Sequence, residues 1–228
     1  MHPVRLTSAF QPIVALADPR YPRAMEALAR FPFDTRPPDL VFADAWRTGH
    51  GAALELDAVS LHLEAGALLP LDIAIAVNLS TETVTRHAEA LAYLLRKTSR
   101  LVIVELTEST DADDLHAIAQ LRSAGVAIAL DDAGAGRTGP ARIRRLSPDI
   151  VKLDGALLRA AGHSSGAREL VREIAIATAA VGAEFVAEGI ESVADVACAI
   201  AFGASMGQGY AFGAPAPVTH YAPLRRSA

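Results

Sequence analysis

Short apolar runs recur along the chain, with longer, helically spaced segments between them. Runs that read as β-strands cover Phe10–Leu16, Ala24–Arg30, Ile73–Val77, Leu101–Glu105, Val126–Leu130, Ile150–Leu153 and Glu184–Ala187, and a last short one precedes Gln208. The second of these is the weakest. Between them the spacing predicts helices over about 51–66, 82–96, 113–124, 154–160, 167–181 and 192–202. In the segment 167–181, Leu170, Val171, Ile174, Ala177 and Val181 fall on one helical face. Gly125 stands where a C-capping glycine belongs, and Asp111 or Asp113 is placed to cap the N-terminus of the helix before it. The prolines of Phe31–Pro38 predict a stiff loop, and the Pro- and Arg-rich tail from Pro215 is expected to fray.

Strand, helix, strand repeated in this way implies parallel pairing. About eight strands in one chain suit a closed (β/α)8 barrel, with an open doubly wound sheet as the alternative. Polar side chains at the C-terminal ends of many different strands favour the barrel, because an open sheet would draw its site only from strands beside the switch point. No linker interrupts the pattern, so one domain over 1–228 is expected, with an ordered core at about 8–214.

Composition narrows the class. Half of the chain is apolar, enough for a sizeable core, and the formal charge of −5 argues against a broad basic face for duplex DNA or RNA. The lone Cys198 excludes an internal disulfide framework and fits a reducing cytoplasm; within an Ala-rich helix it reads as a small buried hydrophobe. The N-terminus lacks the apolar core of a secretory signal, and no apolar run reaches the roughly 18 residues of a membrane span. A cytoplasmic protein is expected. The seven histidines are scattered without an i, i+4 pair and read as surface or internally satisfied residues.

The chemistry lies in short motifs: Met25-Glu26-Ala27-Leu28, Val77-Asn78-Leu79-Ser80, Glu105-Leu106-Thr107-Glu108, Asp131-Asp132, Ala187-Glu188-Gly189-Ile190-Glu191 and Gln208-Gly209-Tyr210. Each alone is ordinary: Glu108 and Asp154 suit helix caps, Ser80 can open a helix, and Asp131-Asp132 before Gly134 and Gly136 can be a turn. Together, Glu26, Asn78, Glu105, Asp131, Asp132 and Glu188 form an oxygen-only donor set, which suits Mg2+ or Mn2+ better than Zn2+. So many carboxylates in one place need cations against their mutual repulsion. Asp131 can bridge two ions, and a pair of ions favours in-line attack of water on a phosphodiester. Lys152 sits mid-strand in Val-Lys-Leu-Asp and points either into the barrel mouth, where it would orient water or meet a phosphate, or out to solvent. The amide of Gln208 precedes Gly209, where backbone can approach closely.

In this order the motifs resemble the EAL domain of cyclic di-GMP phosphodiesterases, from Gln11-Pro12-Ile13-Val14 to Gln208-Gly209-Tyr210. The resemblance implies an α/β fold, a modified TIM barrel with one antiparallel strand, and hydrolysis of one phosphodiester bond of cyclic di-GMP to linear pGpG with two Mg2+ or Mn2+ ions. It implies that Glu26, Asn78, Glu105 and Asp131 hold one ion, and Asp131, Asp132 and Glu188 the other. Lys152, Glu188 and Gln208 would position or deprotonate the attacking water. Gln11, Leu28, Arg30 and Glu191 would contact the substrate, Arg30 at a phosphate, and Glu108 would anchor the loop after Asp132. A homodimer and a sensory domain or partner belong to the same family habit.

The loop after Asp131-Asp132 departs from the family. Its usual Asp-Asp-Phe-Gly-Thr-Gly-Tyr-Ser-Ser is here Asp131-Asp132-Ala133-Gly134-Ala135-Gly136-Arg137-Thr138-Gly139. The bending glycines are kept, while the Phe, the Tyr and the last Ser are replaced. In the family this loop helps assemble the metal site and links it to the dimer interface. A catalytically weak or inactive cyclic di-GMP receptor is therefore the second reading. A protein-interaction scaffold is a distant third, because a complete but unused carboxylate cluster is costly to keep folded.

Overall fold

The computed structural model describes residues 5–107, 114–136 and 138–221. The chain opens with a hairpin, β1 (Thr7–Ala15) turning back into the long β2 (Asp18–Arg30). Next come α1 (Pro38–Arg47), α2 (Gly51–Gly66), β3 (Ala74–Ser80), α3 (Thr81–Arg86), α4 (Ala88–Arg96), β4 (Val102–Thr107), α5 (Asp114–Ser123) and β5 (Ala127–Ala133). They are followed by α6 (Pro140–Leu146), β6 (Ile150–Leu153), α7 (Gly155–Ala161), α8 (Ser165–Ala180), β7 (Glu184–Ala187), α9 (Val193–Ala201), β8 (Met206–Gln208) and α10 (Val218–Tyr221).

The strands close in chain order into a barrel, not an open sheet. β1 is antiparallel to both of its neighbours, β2 and β8, and the remaining neighbours are parallel. The short turn between β1 and β2 dictates this, since only antiparallel strands can be joined so tightly. Among the described residues no helix is long and apolar enough to cross a membrane.

The structure differs from the sequence reading at several edges. β2 begins at Asp18, before the expected Ala24, because Pro19 and Pro22 lie where the pairing with β1 is irregular and no ladder donor is needed. α1 follows the stiff loop directly: Pro38 sits at the start of the helix, where a missing N–H costs nothing. α6 starts on Pro140 in the same way and was also unmarked. The helix expected over 82–96 is broken at His87, whose φ of −126° and ψ of 29° leave the helical region. The tail does not fray at Pro215. Ala216 bridges to Phe10, and Tyr221 is buried with its hydroxyl donating to the Ala214 carbonyl. Asp111, Asp113, Glu108 and Arg137 lie outside the described residues.

The apolar core has two main compartments, with a small third cluster of Ala29, Phe31 and Val41 at α1. The larger lies between the barrel wall and the helices, and includes Val171, Ile174 and Ala177 of α8. The smaller lies inside the barrel and comprises Ile13, Ala24, Ala74, Ala76, Ile103, Ala129, Val186 and Met206. Strand alternation separates the two, and it also sends every second residue toward the barrel axis.

Candidate metal and substrate site

The inward-facing positions turn polar toward the C-terminal ends of the parallel strands. Gln11 pairs in register with Glu26, Asn78 with Glu105, and Gln208 follows Gly207 at the end of β8. A register shift in the β5–β6 pairing between Leu130 and Ala133 falls at Asp131 and Asp132, and Asp132 adopts a positive φ of 52°. Such a bulge re-aims side chains at the rim of a barrel.

Lys152 is the hub. It is 1% exposed and points into the barrel, which decides between the two orientations its sequence left open. Its Nζ lies 2.7 Å from Glu105 Oε2, 2.8 Å from Glu188 Oε1, 3.2 Å from Asp131 Oδ1 and 3.5 Å from Glu26 Oε2. Glu26 also accepts from Asn78 Nδ2 at 2.9 Å and from Gln208 Nε2 at 2.6 Å. Gln208 Nε2 reaches Gln11 Oε1 at 3.1 Å, and Gln11 Nε2 donates to the Gly213 carbonyl.

Burial would raise the Glu26 carboxyl, but Lys152 and the amides of Gln208 and Asn78 outweigh it and hold it below the usual carboxylate range. Glu105 goes the other way, pushed well up by burial and by Glu26 and Asp131 despite Lys152. Burial, opposed by Lys152 and helped by Asp131 and Glu26, pushes Glu188 up to about 8. Burial works against the Lys152 ammonium, but the surrounding carboxylates hold its pKa well above the usual lysine value.

One ammonium among four carboxylates is undercompensated, and the residues fit a divalent cation. Ligand oxygens of Asp131, Asp132 and Glu188 all lie within 4.8 Å of one another. Glu105 Oε1 is buried without a hydrogen-bond partner among the described residues, a costly state for a carboxyl oxygen and a natural one for a ligand. Asn78 spends its N–H on Glu26 and keeps a carbonyl oxygen for coordination.

Beside this cluster a cleft of about 330 Å³ is lined by Gln11, Glu26, Leu28, Glu188, Glu191, Gln208 and Tyr210. Its wall needs a glycine: a Cβ on Gly209 (φ 155°) would stand 2.2 Å from the Ile190 carbonyl oxygen. This close approach ties the end of β8 to the segment after Glu188. Arg30 lies in a neighbouring cavity of about 810 Å³, which shares Leu28 with the first and is also lined by Asn78. Its Nη1 donates to the Ala29 carbonyl.

The structure thus brings together Gln11, Glu26, Asn78, Glu105, Asp131, Asp132, Lys152, Glu188 and Gln208, with Leu28 and Glu191 on the adjoining cleft and Arg30 one cavity away. Asp154 is a helix cap whose carboxylate accepts from Leu157 N, and Ser80 caps α3. Nothing in the sequence pointed to Glu55. This buried carboxylate accepts from Trp46 Nε1 at 2.9 Å and from the backbone N and Oγ of Ser80 at 3.0 and 2.9 Å. A glutamate in a helix whose partners lie far along the chain has no local signature.

A family model described as "EAL domain" matches residues 2–215. The chain belongs to the EAL domain family. It is 30% identical over 172 residues to the cyclic di-GMP phosphodiesterase PdeB of Shewanella oneidensis, which covers 71% of this chain and 20% of that protein. It is 33% identical over 121 residues to the probable cyclic di-GMP phosphodiesterase PdeA of Escherichia coli, covering 51% of this chain and 17% of that one. The chain therefore spans about a fifth of the length of the curated relatives it matches. Among solved structures it is similar to the PaMucR phosphodiesterase in complex with c-di-GMP, at 27% identity and a TM-score of 0.79, covering 94% of this chain and 93% of that one. The manganese/c-di-GMP complex of Klebsiella pneumoniae BlrP1 matches at 26% identity and a TM-score of 0.82, covering 95% of this chain and 57% of that one.

Proposed function

We propose that this EAL domain hydrolyses cyclic di-GMP to linear pGpG. The observation that carries the reading is the convergence of Glu26, Glu105 and Asp131 from three strands, and of Glu188 from just beyond β7, on the buried Lys152, beside a cleft open to a substrate. The EAL relatives named as cyclic di-GMP phosphodiesterases, and those solved with that nucleotide, support the substrate.

Glu26, Asn78, Glu105 and Asp131 would hold one divalent ion, and Asp131, Asp132 and Glu188 a second. When bound, these ions supply Lewis acidity and charge neutralisation at the reacting phosphate. Mg2+ or Mn2+ is favoured by the oxygen-only donor set, and manganese by the Klebsiella relative. Arg30 meets a substrate phosphate, while Gln11, Leu28 and Glu191 line the nucleotide's path. Lys152 orients the attacking water. The Gln208 Oε1, buried without a partner among the described residues, accepts one of its hydrogens. Glu188, beside that water, takes its proton as the water oxygen bonds to phosphorus. The P–O3′ bond breaks and the 3′ oxygen leaves, taking up a proton from solvent, which yields the 5′-phosphate of pGpG.

A second reading, a receptor that binds without rapid turnover, draws on the loop after Asp132. Ala133 is fully buried where the family carries an aromatic ring, and Gly134 packs so close to Leu157 that a Cβ would stand 2.1 Å from its Cδ2. The deciding assay follows pGpG by chromatography with Mg2+ or Mn2+, beside the Glu26→Ala variant. Metal-dependent product that disappears in the variant is expected. Saturable binding without product would select the receptor, and normal turnover by Glu26→Ala would refute the assigned site.

A further inference from the structure

The cavity of about 810 Å³ beside the metal cluster opens from the rim of the barrel into the space between β2 and α1–α2. Small side chains make the room: Ala27, Ala29 and Ala58 line it, where bulkier residues would close it. Trp46 and Phe42 of α1 supply its aromatic wall, Arg30 and Asn78 its side toward the carboxylate cluster, and Asp39 an exposed carboxylate at its edge.

Trp46 is fixed rather than loosely placed. Its indole N–H donates to buried Glu55, and its ring lies over the start of α2, where a Cβ on Gly51 would come within 2.2 Å of Trp46 Cδ2. The same Glu55 carboxylate holds the N–H and hydroxyl of Ser80, two residues beyond Asn78. One side chain therefore braces both the aromatic wall and the end of the strand that carries a metal-side amide.

We propose that Trp46 is the platform on which one purine base of the substrate packs, and that Glu55 is the positioning residue that holds it. This rests on the proposed function and names a specificity determinant for it. A flat indole beside a guanidinium suits a base joined to a phosphate. Asp39 makes no ion pair among the described residues, and its acceptor-only carboxylate suits the N1–H and exocyclic amine edge of guanine better than adenine.

Trp46 is the only tryptophan in the chain, so its emission reports on this cavity alone. The full chain is titrated with cyclic di-GMP in Ca2+, followed by tryptophan emission and by calorimetry in parallel. A saturable emission change with the calorimetric midpoint is expected, with a weaker response to cyclic di-AMP. Trp46→Ala should raise Kd and KM about tenfold while turnover at saturation changes little, and Trp46→Phe should recover most of the loss. Gly51→Ala keeps the fluorophore but displaces it, so it should shift the emission of the free protein and weaken binding. Glu55→Gln should do the same more mildly. Calorimetric binding with silent emission, or Trp46→Ala with unchanged Kd, would overturn the platform and leave the proposed function standing. No calorimetric binding by the parent protein would overturn both.

Discussion

The two ends of the barrel interior solve opposite problems with the same strands. Toward the C-terminal ends, alternate residues are Gln11, Glu26, Asn78, Glu105, Asp131, Lys152, Glu188 and Gln208, a charged layer held together by one lysine. Two residues toward the opposite mouth on the same strands stand Ile13, Ala24, Ala76, Ile103, Ala129, Ile150, Val186 and Met206. That lower half is so rich in alanine that a cavity of about 740 Å³ reaches from the N-terminal mouth to Glu105 and Lys152. A barrel interior is ordinarily filled by bulky branched side chains. Here the upper layer is tightly paired and electrically strained, while the lower layer is neutral and loosely filled. Stability in the upper half should therefore depend on ions and charge, and in the lower half on volume.

The sharpest way to break that contrast is Lys152→Met, which keeps length and removes the cation. Four carboxylates would lose their shared partner, and losing one member of a buried ion pair typically costs about 3–5 kcal/mol. Urea unfolding in EDTA should show a loss of that order. In millimolar Mg2+ the loss should shrink, because cations at the same carboxylates replace the missing charge. An equal loss in both conditions would mean that the cluster does not take up divalent ions.

The next effect is set by pH. His62 lines the Arg30 cavity and is buried, with Nδ1 2.7 Å from Ser8 Oγ. Burial, and then the Arg30 charge, push it down to about 4, with Glu26 pulling the other way. The unfolded chain takes a proton near pH 6.5 that the fold refuses until about pH 4. Stability is therefore unaffected by this group above pH 6.5 and falls as pH drops from there to about 4, by about 3 kcal/mol in all. His62→Gln should flatten that part of the stability profile, with or without metal. A slope that survives the substitution would assign it to the carboxylates instead.

How far the site could be read from the sequence follows the same division. The upper layer announced itself, because acids and amides at the ends of apolar runs have few reasons to recur on so many strands. The inward aim of Lys152 could not be read, since Val-Lys-Leu-Asp alternates equally well in either register and only the closed barrel fixes it. α1 was hidden by Pro37-Pro38, which break a helix in its interior but start one at its first turn. Glu55 and Trp46 were invisible for a different reason: Ser80 lies 25 residues beyond Glu55, and a contact of that span leaves no periodic trace. The lower cavity was equally silent. Ala15, Ala24, Ala74 and Ala127, spread over four strands, look like ordinary apolar positions until the strands are side by side.

That cavity yields the smallest effects and the cleanest comparison, from one substitution made two residues apart on β5. Ala129 is fully buried and lies in register with Glu105 and Ile150, directly beneath the charged layer. Ala129→Val has little room and should cost about 1–3 kcal/mol, with some loss of the proposed hydrolysis as Glu105 is pushed aside. Ala127, in register with Ile103, faces the open cavity. Ala127→Val adds a β-branched side chain where space exists and a strand prefers it, so it should raise stability by about 0.5–1 kcal/mol and leave turnover unchanged. Thermal unfolding of the two variants decides the matter. Opposite signs would establish that the interior is crowded above and underfilled below, whereas destabilisation by both would mean that the lower half has no room for a larger side chain.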